Sequence, residues 1–277
     1  MRYPVFLKKI IHNIKYTFNK SLHSNHIFLD WSESLNNFGD ILNPYLVAYL
    51  TNKNIINVSA KYCYYDHLQV IGSILSRSNS TSIVWGSGYI SQDSNYISKP
   101  KKVLAVRGPL TRKLLLEQGV DCPDVYGDPA LLMSKFYMPK TTKKYILGIL
   151  PHYSDKSHDW LKTIDDASVK IIDIQNPNPL KVIDEICSCE QIASSSLHGL
   201  IISDSYKIPS VWIKFTDKLK GGSFKFNDYF MSIKSELLKP VVIHEDITIE
   251  FLISQSKCRE LKIDLDALID SFPEEFK

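Results

Sequence analysis

Short apolar segments alternate with helical ones along most of this chain, and this alternation restricts its fold more than any other feature. Segments of strand length are Ile27–Trp31, Leu68–Ile71, Ser82–Trp85, Lys102–Val106, Val125–Leu132, Tyr145–Leu150, Lys170–Ile174, Gln191–Ser194 and Ser210–Phe215. Helical periodicity lies between them, at Ile41–Leu50, Pro109–Gln118, Asp159–Asp165 and Leu180–Cys187. Strands that alternate with helices form parallel sheets covered by helices on both faces. The pattern therefore predicts an α/β fold.

The alternation is interrupted once, by the polar and lysine-rich segment Lys135–Lys144, and then begins again. A chain of 277 residues is long enough for two domains of this type. We therefore predict two Rossmann-like domains, 25–140 and 141–250, which face each other across a cleft. A helical segment, 251–277, is expected to brace the two halves.

The N-terminal segment 1–24 is predicted to be basic and amphipathic. Two interpretations stay open: residues 1–20 lie on an anionic membrane surface, or they form a helix packed on their own domain. No apolar run approaches the roughly 20 residues that span a bilayer, and no secretory signal is present. The net charge of +3 gives no argument for nucleic acid. The five cysteines are odd in number and lack the pairwise spacing of a disulfide framework, which favours a cytoplasmic protein. Their spacing predicts no metal site either.

His198 occupies the most informative position, because it lies in Ser194–Ile201 where a strand is expected to turn into a helix. Ligands of open α/β sheets bind at such turns. The free N–H groups of Ser195, Ser196 and Gly199 and the positive end of the helix dipole favour an anion there. A proton donor beside an anion is typical of an enzyme. The alternative is a core histidine bonded to a carbonyl group.

Arg107 and Asp40 are candidates in the first half. Arg107 directly follows an apolar strand, so its guanidinium is expected to reach the cleft and bind a carboxylate or phosphate; the alternative is an ion pair with an internal acid such as Asp128. Asp40 follows the polar turn at Asn37 and Gly39. It is expected to act either as a general base toward a hydroxyl or as the cap of a helix.

Two glycine turns complete the candidates. Trp85-Gly86-Ser87-Gly88 follows a strand and lets backbone approach a ligand, but it lacks the dinucleotide fingerprint. The pair Gly221-Gly222 is flanked by basic residues and is expected to be either a mobile loop that closes on an anion or a solvated loop. The basic residues near it are Lys214, Lys218, Lys220 and Lys225.

Six motifs in consistent order together resemble the polysaccharide pyruvyltransferase family over residues 27 to 235. They are Asn37-Phe38-Gly39-Asp40, Trp85-Gly86-Ser87-Gly88, Arg107-Gly108-Pro109, Gly127-Asp128-Pro129, Ser195-Ser196-Leu197-His198-Gly199 and Phe224-Lys225-Phe226-Asn227-Asp228-Tyr229. The resemblance implies two facing Rossmann-like domains like those of the GT-B glycosyltransferases, with the acceptor on the N-terminal side and the donor on the C-terminal side.

The resemblance also implies an activity: transfer of a pyruvyl unit from phosphoenolpyruvate to a hexose, with a cyclic ketal as product and phosphate released. His198 is then the acid and Asp40 the base, with no cofactor. Phosphoenolpyruvate is expected to contact Arg107, Ser195, Ser196, Gly199, Lys214 and Lys225. The acceptor glycan is expected to contact Asn37, Gly39, Trp85, Gly86 and Ser87. Some members carry arginine where Ser196 stands, so other basic groups must bind the donor here.

The resemblance further implies a bacterial enzyme of capsule or exopolysaccharide biosynthesis. It is expected in the cytoplasm or at the inner face of the cytoplasmic membrane, where a lipid-linked acceptor would be met. Two other functions stay open on the sequence: a GT-B glycosyltransferase that uses a nucleotide sugar, and a non-catalytic glycan-binding protein.

Overall fold

The computed structural model describes residues 25–33, 36–216 and 221–277. The predicted segment 1–24, with its expected membrane contact, lies outside these residues, as do Lys218 and Lys220. Within the described ranges the chain forms two parallel sheets with helices packed around them. The predicted α/β class with Rossmann-like halves is thereby confirmed.

The first sheet has five strands in the order β2-β1-β3-β4-β5, and all neighbouring strands are parallel. They are β1 (His26–Asp30), β2 (Asn54–Val58), β3 (His67–Gln69), β4 (Ser82–Trp85) and β5 (Lys102–Ala105). The four residues of β4 are all buried, as expected for a strand with helices on both faces.

The second sheet also has five parallel strands, in the order β10-β9-β8-β6-β7. They are β6 (Tyr145–Leu150), β7 (Val169–Ile171), β8 (Cys189–Ser194), β9 (Ser210–Lys214) and β10 (Val241–Val242). Because all strands of a parallel sheet end at the same edge, the turns that follow β6 and β8 lie side by side there.

Nine α-helices lie within the described ranges, seven between strands and two after the last strand. They are α1 (Phe38–Thr51), α2 (Pro109–Glu117), α3 (Met133–Phe136), α4 (Asp159–Lys162), α5 (Pro179–Cys187), α6 (Leu197–Ser205), α7 (Phe224–Ser232), α8 (Ile249–Gln255) and α9 (Leu265–Asp270). Short 3-10 turns occur at Ala60–Tyr62, Leu75–Arg77, Pro129–Leu132 and Glu274–Phe276. Helix α2 begins at a proline, whose fixed φ suits a first helical position, as predicted.

The segment predicted as a strand at Val125–Leu132 is wrong in its second half. Pro129–Leu132 forms a 3-10 turn, because Pro129 has no N–H for a strand ladder and Asp128 Oδ1 accepts a hydrogen bond from Ala130 N at 3.0 Å. Only Tyr126 keeps a strand-like bridge, to Val106. Strands β2 and β10 lie at sheet edges and were not predicted.

The two sheets belong to one packed unit. We call the first sheet with α1–α3 the first lobe and the second sheet with α4–α7 the second lobe. The principal apolar cluster contains residues of both, among them Leu42 of α1 and Leu200 of α6. Phe38 N–H at the start of α1 donates to the carbonyl of Ile174 in the second lobe at 3.0 Å.

The C-terminal segment contacts both lobes. Lys257 pairs with Ser210 of β9, while Trp85 of β4 donates its indole N–H to the Leu268 carbonyl at 2.9 Å. The segment is not helical throughout, since α8 and α9 are separated by an irregular stretch. The predicted division of the chain at residue 140 falls between the two sheets and stays a prediction.

Candidate active site

A cleft of about 430 Å³ lies where residues from the carboxyl ends of both sheets meet. Both lobes contribute to its lining, which includes Asn37, Asp40, Ser73 and Arg77 from the first lobe and His152, Ser196, His198 and Lys225 from the second. The predicted acid and base are therefore brought together from positions far apart in the chain, in the kind of crevice where α/β sheets bind ligands.

His198 lies in the first turn of α6 and is 9% exposed. Its Nε2 faces the Asp128 carboxylate, with 3.6 Å between Nε2 and Oδ2. Both atoms are buried without a hydrogen-bond partner among the described residues. Buried unpartnered polar atoms cost free energy, so the two groups are placed to interact with each other or with a bound ligand. Among the described residues no carbonyl group, the alternative drawn from the sequence, bonds this ring.

Gly39 brings α1 against the His198 ring. A Cβ added at Gly39 would lie 2.0 Å from His198 Nδ1 and 2.4 Å from Cγ, which no side chain tolerates. Glycine is thus required here for a close approach and not for a tight turn. Gly39 is buried and serves as the surface on which the imidazole rests, a different position from the acceptor contact predicted from the sequence.

Asp40 is not the cap of α1. The cap position belongs to Asn37, and Asp40 stands in the first helical turn with its side chain toward the cleft. Asn37 Nδ2 donates to Asp40 Oδ2 at 2.8 Å. Burial raises the pKa of Asp40, while Asn37, His198, Arg77 and Lys225 oppose that rise. The carboxylate is therefore available as a proton acceptor.

An unusual feature of α1 is Pro44, which cannot donate to the Asp40 carbonyl four residues earlier. Asn43 replaces that bond, since its Nδ2 donates to the Asp40 carbonyl at 3.0 Å. The same side chain bonds both the N–H and the carbonyl of Ile71. Asn43 thus ties the helix turn that carries Asp40 to the loop that follows β3.

Lys225 lies in the first turn of α7 and lines the opposite side of the cleft. Burial lowers its pKa to about 8, with the Arg107 charge acting in the same direction and Asp40 opposing it. No hydrogen bond or ion pair within 4 Å joins its ammonium group to a described residue. The predicted Lys214, at the end of β9, is not part of this lining.

Arg107 differs from its prediction, because its guanidinium is fully buried and does not line the cleft. Nη2 lies 2.9 Å from Asp228 Oδ2, and Nε donates to the same oxygen at 3.0 Å. Nη1 donates to Ser73 and Nη2 to the Tyr89 carbonyl. The expected internal ion pair therefore exists, but with Asp228 of α7 in place of Asp128.

The serines and glycine around His198 divide into two groups. Ser196 lines the cleft, at the cap position of α6. Ser195 is buried, and its hydroxyl donates to Asp155 and accepts from the His152 N–H at 2.7 Å. Gly199 is also buried, and a Cβ there would lie 2.2 Å from Ser194 Oγ. Ser195 and Gly199 thus shape the turn from beneath and do not face a ligand.

The predicted acceptor contacts at Trp85, Gly86 and Ser87 are not supported by the structure. Trp85 is buried, and its indole N–H bonds Leu268 and Ser271 of the C-terminal segment. Gly86 has φ +90° and packs on Pro129, where a Cβ would lie 2.2 Å from the ring. The Ser87 hydroxyl donates to the Gly72 carbonyl. These three residues are therefore buried and are not among the residues that line the cleft.

Sequence reasoning missed two groups of the cleft. Arg77 comes from the 3-10 turn after β3, and its Nη2 is paired with the buried carboxylate of Asp30. His152 follows β6; burial lowers its pKa to about 4, so it is neutral at pH 7. His152 comes two residues after a predicted apolar strand, a signal close to the one that drew attention to Arg107, whereas Arg77 lies six residues beyond the predicted strand Leu68–Ile71 and gave no such signal.

Metal and membrane features are absent from the part of the chain that the structure covers. No group of three metal-ligating side chains occurs there. None of the helices in the same ranges has the length and hydropathy to cross a bilayer.

The chain is similar to several known proteins. A family model described as polysaccharide pyruvyl transferase matches residues 2–215. An uncharacterized protein of Acanthamoeba polyphaga mimivirus is 32% identical over 214 residues, or 75% of this chain and 74% of the viral protein. The succinoglycan biosynthesis protein ExoV of Rhizobium meliloti (strain 1021) is 27% identical over 212 residues, or 73% of this chain and 63% of that protein.

One solved structure is also similar, that of an uncharacterized protein from Klebsiella pneumoniae subsp. pneumoniae. It has a TM-score of 0.43 and 13% sequence identity, and the match covers 84% of this chain and 98% of that one.

Proposed function

The chain belongs to the polysaccharide pyruvyl transferase family, and on that premise we propose that it moves the pyruvyl unit of phosphoenolpyruvate onto a hexose of a polysaccharide precursor. The product is a cyclic ketal across two sugar hydroxyls, and phosphate is released. The observation that carries the proposal is that His198, Asp40, Arg77 and Lys225 line one cleft. An acid, a carboxylate and two cations suit a reaction between a hydroxyl and a multiply charged anion.

The first step is an addition across the double bond of the donor. A sugar hydroxyl oxygen forms a bond to C2, its proton passes to the Asp40 carboxylate, and C3 receives a proton from the His198 imidazolium. In the second step the C2–O bond to phosphate breaks and the second hydroxyl forms its bond to C2. The proton of that hydroxyl returns to His198, and the proton held by Asp40 leaves with phosphate, so both residues end as they began.

Asp128 is a positioning residue in this scheme. Its carboxylate faces Nε2 of His198 and orients the imidazole in the wall of the cleft. Burial raises the pKa of Asp40, which makes it a stronger proton acceptor than an exposed aspartate. The neighbouring Asp128 thus suits His198 to act as the acid, and burial suits Asp40 to act as the base.

The test is phosphate release from phosphoenolpyruvate with a panel of galactosides, glucosides and mannosides. Replacing His198→Ala should lower the rate by about 10²–10⁴-fold with the fold intact. His244→Ala is the matched control, since that imidazole is exposed and lies outside the cleft lining. Equal activity of the two variants would remove His198 as the acid.

Two results would support the other functions. Release of a nucleoside diphosphate from a nucleotide sugar, with none of phosphate from phosphoenolpyruvate, would identify a glycosyltransferase. Glycan binding with neither release would identify a non-catalytic binding protein.

The setting of the reaction is also part of the proposal. We place it at the inner face of the cytoplasmic membrane of a bacterium, on a lipid-linked precursor of capsule or exopolysaccharide, in a GT-B-like arrangement of the two lobes. Residues 1–20 would hold the enzyme there. Deleting them should abolish co-sedimentation with anionic vesicles while phosphate release with a soluble acceptor is kept; unchanged co-sedimentation would contradict this.

A further inference from the structure

The donor in the proposed reaction carries a phosphate and a carboxylate, and Arg107, the arginine expected to bind them, is not available. Ser196 lines the cleft but carries no charge. Arg107 is buried and already neutralised by Asp228. His152 lines the cleft but is neutral at pH 7, because burial lowers its pKa to about 4. The positive charge for the donor must therefore come from other residues.

Arg77 is the first source. Its side chain is 32% exposed and lines the cleft. Among the described residues only Asp30 accepts a hydrogen bond from the guanidinium, through Nη2. The other donors of the fork, Nε and Nη1, have no such partner. A planar guanidinium with one edge anchored and another open suits a bidentate contact to an oxyanion.

Asp30 gives Arg77 a rigid support. The carboxylate is fully buried, and its second oxygen accepts from Gln69 Nε2 at 3.0 Å. Gln69 is in turn bonded to Ser78, the residue after Arg77. Burial raises the pKa of Asp30 to about 6, so at pH 7 it is mainly ionised and balances one side of the guanidinium. The arginine is thus oriented before any ligand arrives.

Lys225 is the second source, and it comes from the other lobe. Its ammonium lines the same cleft, with no described carboxylate within ion-pair distance. Both Arg77 and Lys225 act on the Asp40 carboxylate, whose pKa each of them lowers. The two cations therefore lie near the proposed base, one on each wall. A partly buried cation without a partner among the described residues carries a desolvation cost that a bound anion would offset.

We propose that Arg77 and Lys225 together form the donor-anion subsite, Arg77 as a bidentate fork and Lys225 as a point charge. The proposal rests on the proposed function for the identity of the donor, and assigns to these two residues the binding of its phosphate and carboxylate. Arg107 then acts indirectly, as a positioning residue. Its Nη1 holds the hydroxyl of Ser73 in the cleft wall, and its ion pair with Asp228 fixes the helix that carries Lys225.

Titration calorimetry on the full chain tests the subsite, with phosphoenolpyruvate as the probe. Arg77→Ala should raise the Kd for phosphoenolpyruvate by roughly ten- to a hundredfold, the usual effect of losing a charge-assisted contact. In turnover the KM for the donor should rise while the KM for the acceptor is unchanged. Arg77→Lys should recover part of the loss. Arg112→Lys is the matched control, because Arg112 bonds the Cys122 carbonyl outside the cleft lining.

Inorganic phosphate and pyruvate, titrated separately, show which half of the donor each cation binds. A folded Arg77→Ala variant that binds phosphoenolpyruvate and phosphate as tightly as the unaltered chain would overturn the subsite and leave the proposed function standing. An unaltered chain that binds no phosphoenolpyruvate would instead overturn the proposed function. In that case weaker phosphate binding by Arg77→Ala would still support an anion subsite here, and equal binding would overturn it.

Discussion

At the scale of single residues, the contact between Gly39 and His198 links activity directly to packing. The imidazole rests on a position where even one added methyl group would overlap it. Selection of glycine here is therefore explained by the ring and not by the backbone, since Gly39 has ordinary helical geometry.

This contact predicts a non-additive pair of substitutions. Gly39→Ala should lower the free energy of unfolding by about 1–3 kcal/mol, as overpacking does, and should also reduce turnover because the ring is displaced. In a His198→Ala background the same change should cost almost nothing, since the overlap is gone. Urea unfolding of the four proteins of the cycle measures both values, and an equal cost in the two backgrounds would contradict the steric explanation.

Lys225 predicts a pH dependence of donor binding. Its pKa is lowered to about 8, so the ammonium that binds the anion is present below that pH and is lost as the pH rises through it. The Kd for phosphoenolpyruvate should therefore rise by about tenfold between roughly pH 7 and pH 9. Lys225→Arg should remove this rise, because a guanidinium stays charged.

The other groups that face Lys225 must be separated from it. Arg107 stays charged throughout this range, and His152, with a pKa of about 4, stays neutral. Asp40 and His198 are also titratable side chains of the cleft lining, so the binding profile is repeated with Asp40→Asn and with His198→Ala. A rise that disappears in Asp40→Asn but persists in Lys225→Arg would assign the titration to Asp40.

At the scale of elements, the buried ion pair between Arg107 and Asp228 fastens α7 to the first lobe. Asp228 also accepts bonds from the N–H and the hydroxyl of Thr111 in α2. Gly108 permits this approach, since a Cβ there would lie 1.9 Å from the Asp228 carbonyl oxygen. The helix that carries Lys225 is thus held by a residue of the opposite sheet.

Removing one member of this pair should be costly. Asp228→Asn leaves the Arg107 guanidinium buried without a countercharge, so we expect a loss of about 3–5 kcal/mol in the free energy of unfolding. The control is Glu117→Gln, which breaks the exposed pair with Lys113 and should change stability by less than about 1 kcal/mol. Similar urea midpoints for the two variants would show that the buried pair does not act as a clamp.

Most elements could be predicted from the sequence, and the exceptions have physical reasons. Strands β4 and β6 are apolar along most of their length, and this hydrophobicity identifies them. Strand β2 lies at the sheet edge, where only its last residue is buried, and β10 has only two residues, so neither gives a clear pattern. Pro129 lies in an apolar run, which concealed a 3-10 turn.

The site was predictable where a residue follows a strand directly and not where its role depends on a distant partner. The turn position of His198 and the cleft position of Asp40 follow from local pattern. Asp228 lies 121 residues from Arg107, and nothing local indicates that it takes the guanidinium. Because Asp228 neutralises Arg107, Arg77, which sequence reasoning missed, is the arginine that lines the cleft. One long-range contact thus changes the assignment of two arginines.

At the scale of the whole molecule, the first lobe depends on chain that follows it. Trp85 bonds Leu268, 183 residues later, and Phe38 bonds Ile174. A fragment of residues 25–144 should therefore lack a cooperative urea transition, whereas the full chain should unfold in one transition. Circular dichroism measures both. A sharp two-state transition of the fragment would show that the first lobe is an autonomous domain.

The Arg107–Asp228 pair also has a consequence for biosynthesis. The ribosome makes the first lobe first, yet when residue 215 emerges the arginine has no carboxylate and Trp85 has no carbonyl to bond. At that stage the guanidinium and the indole N–H are without these partners, and the contacts form only after α7 and α9 are translated. The last fifth of the chain thus supplies the partners of Arg107 and Trp85 in the first lobe.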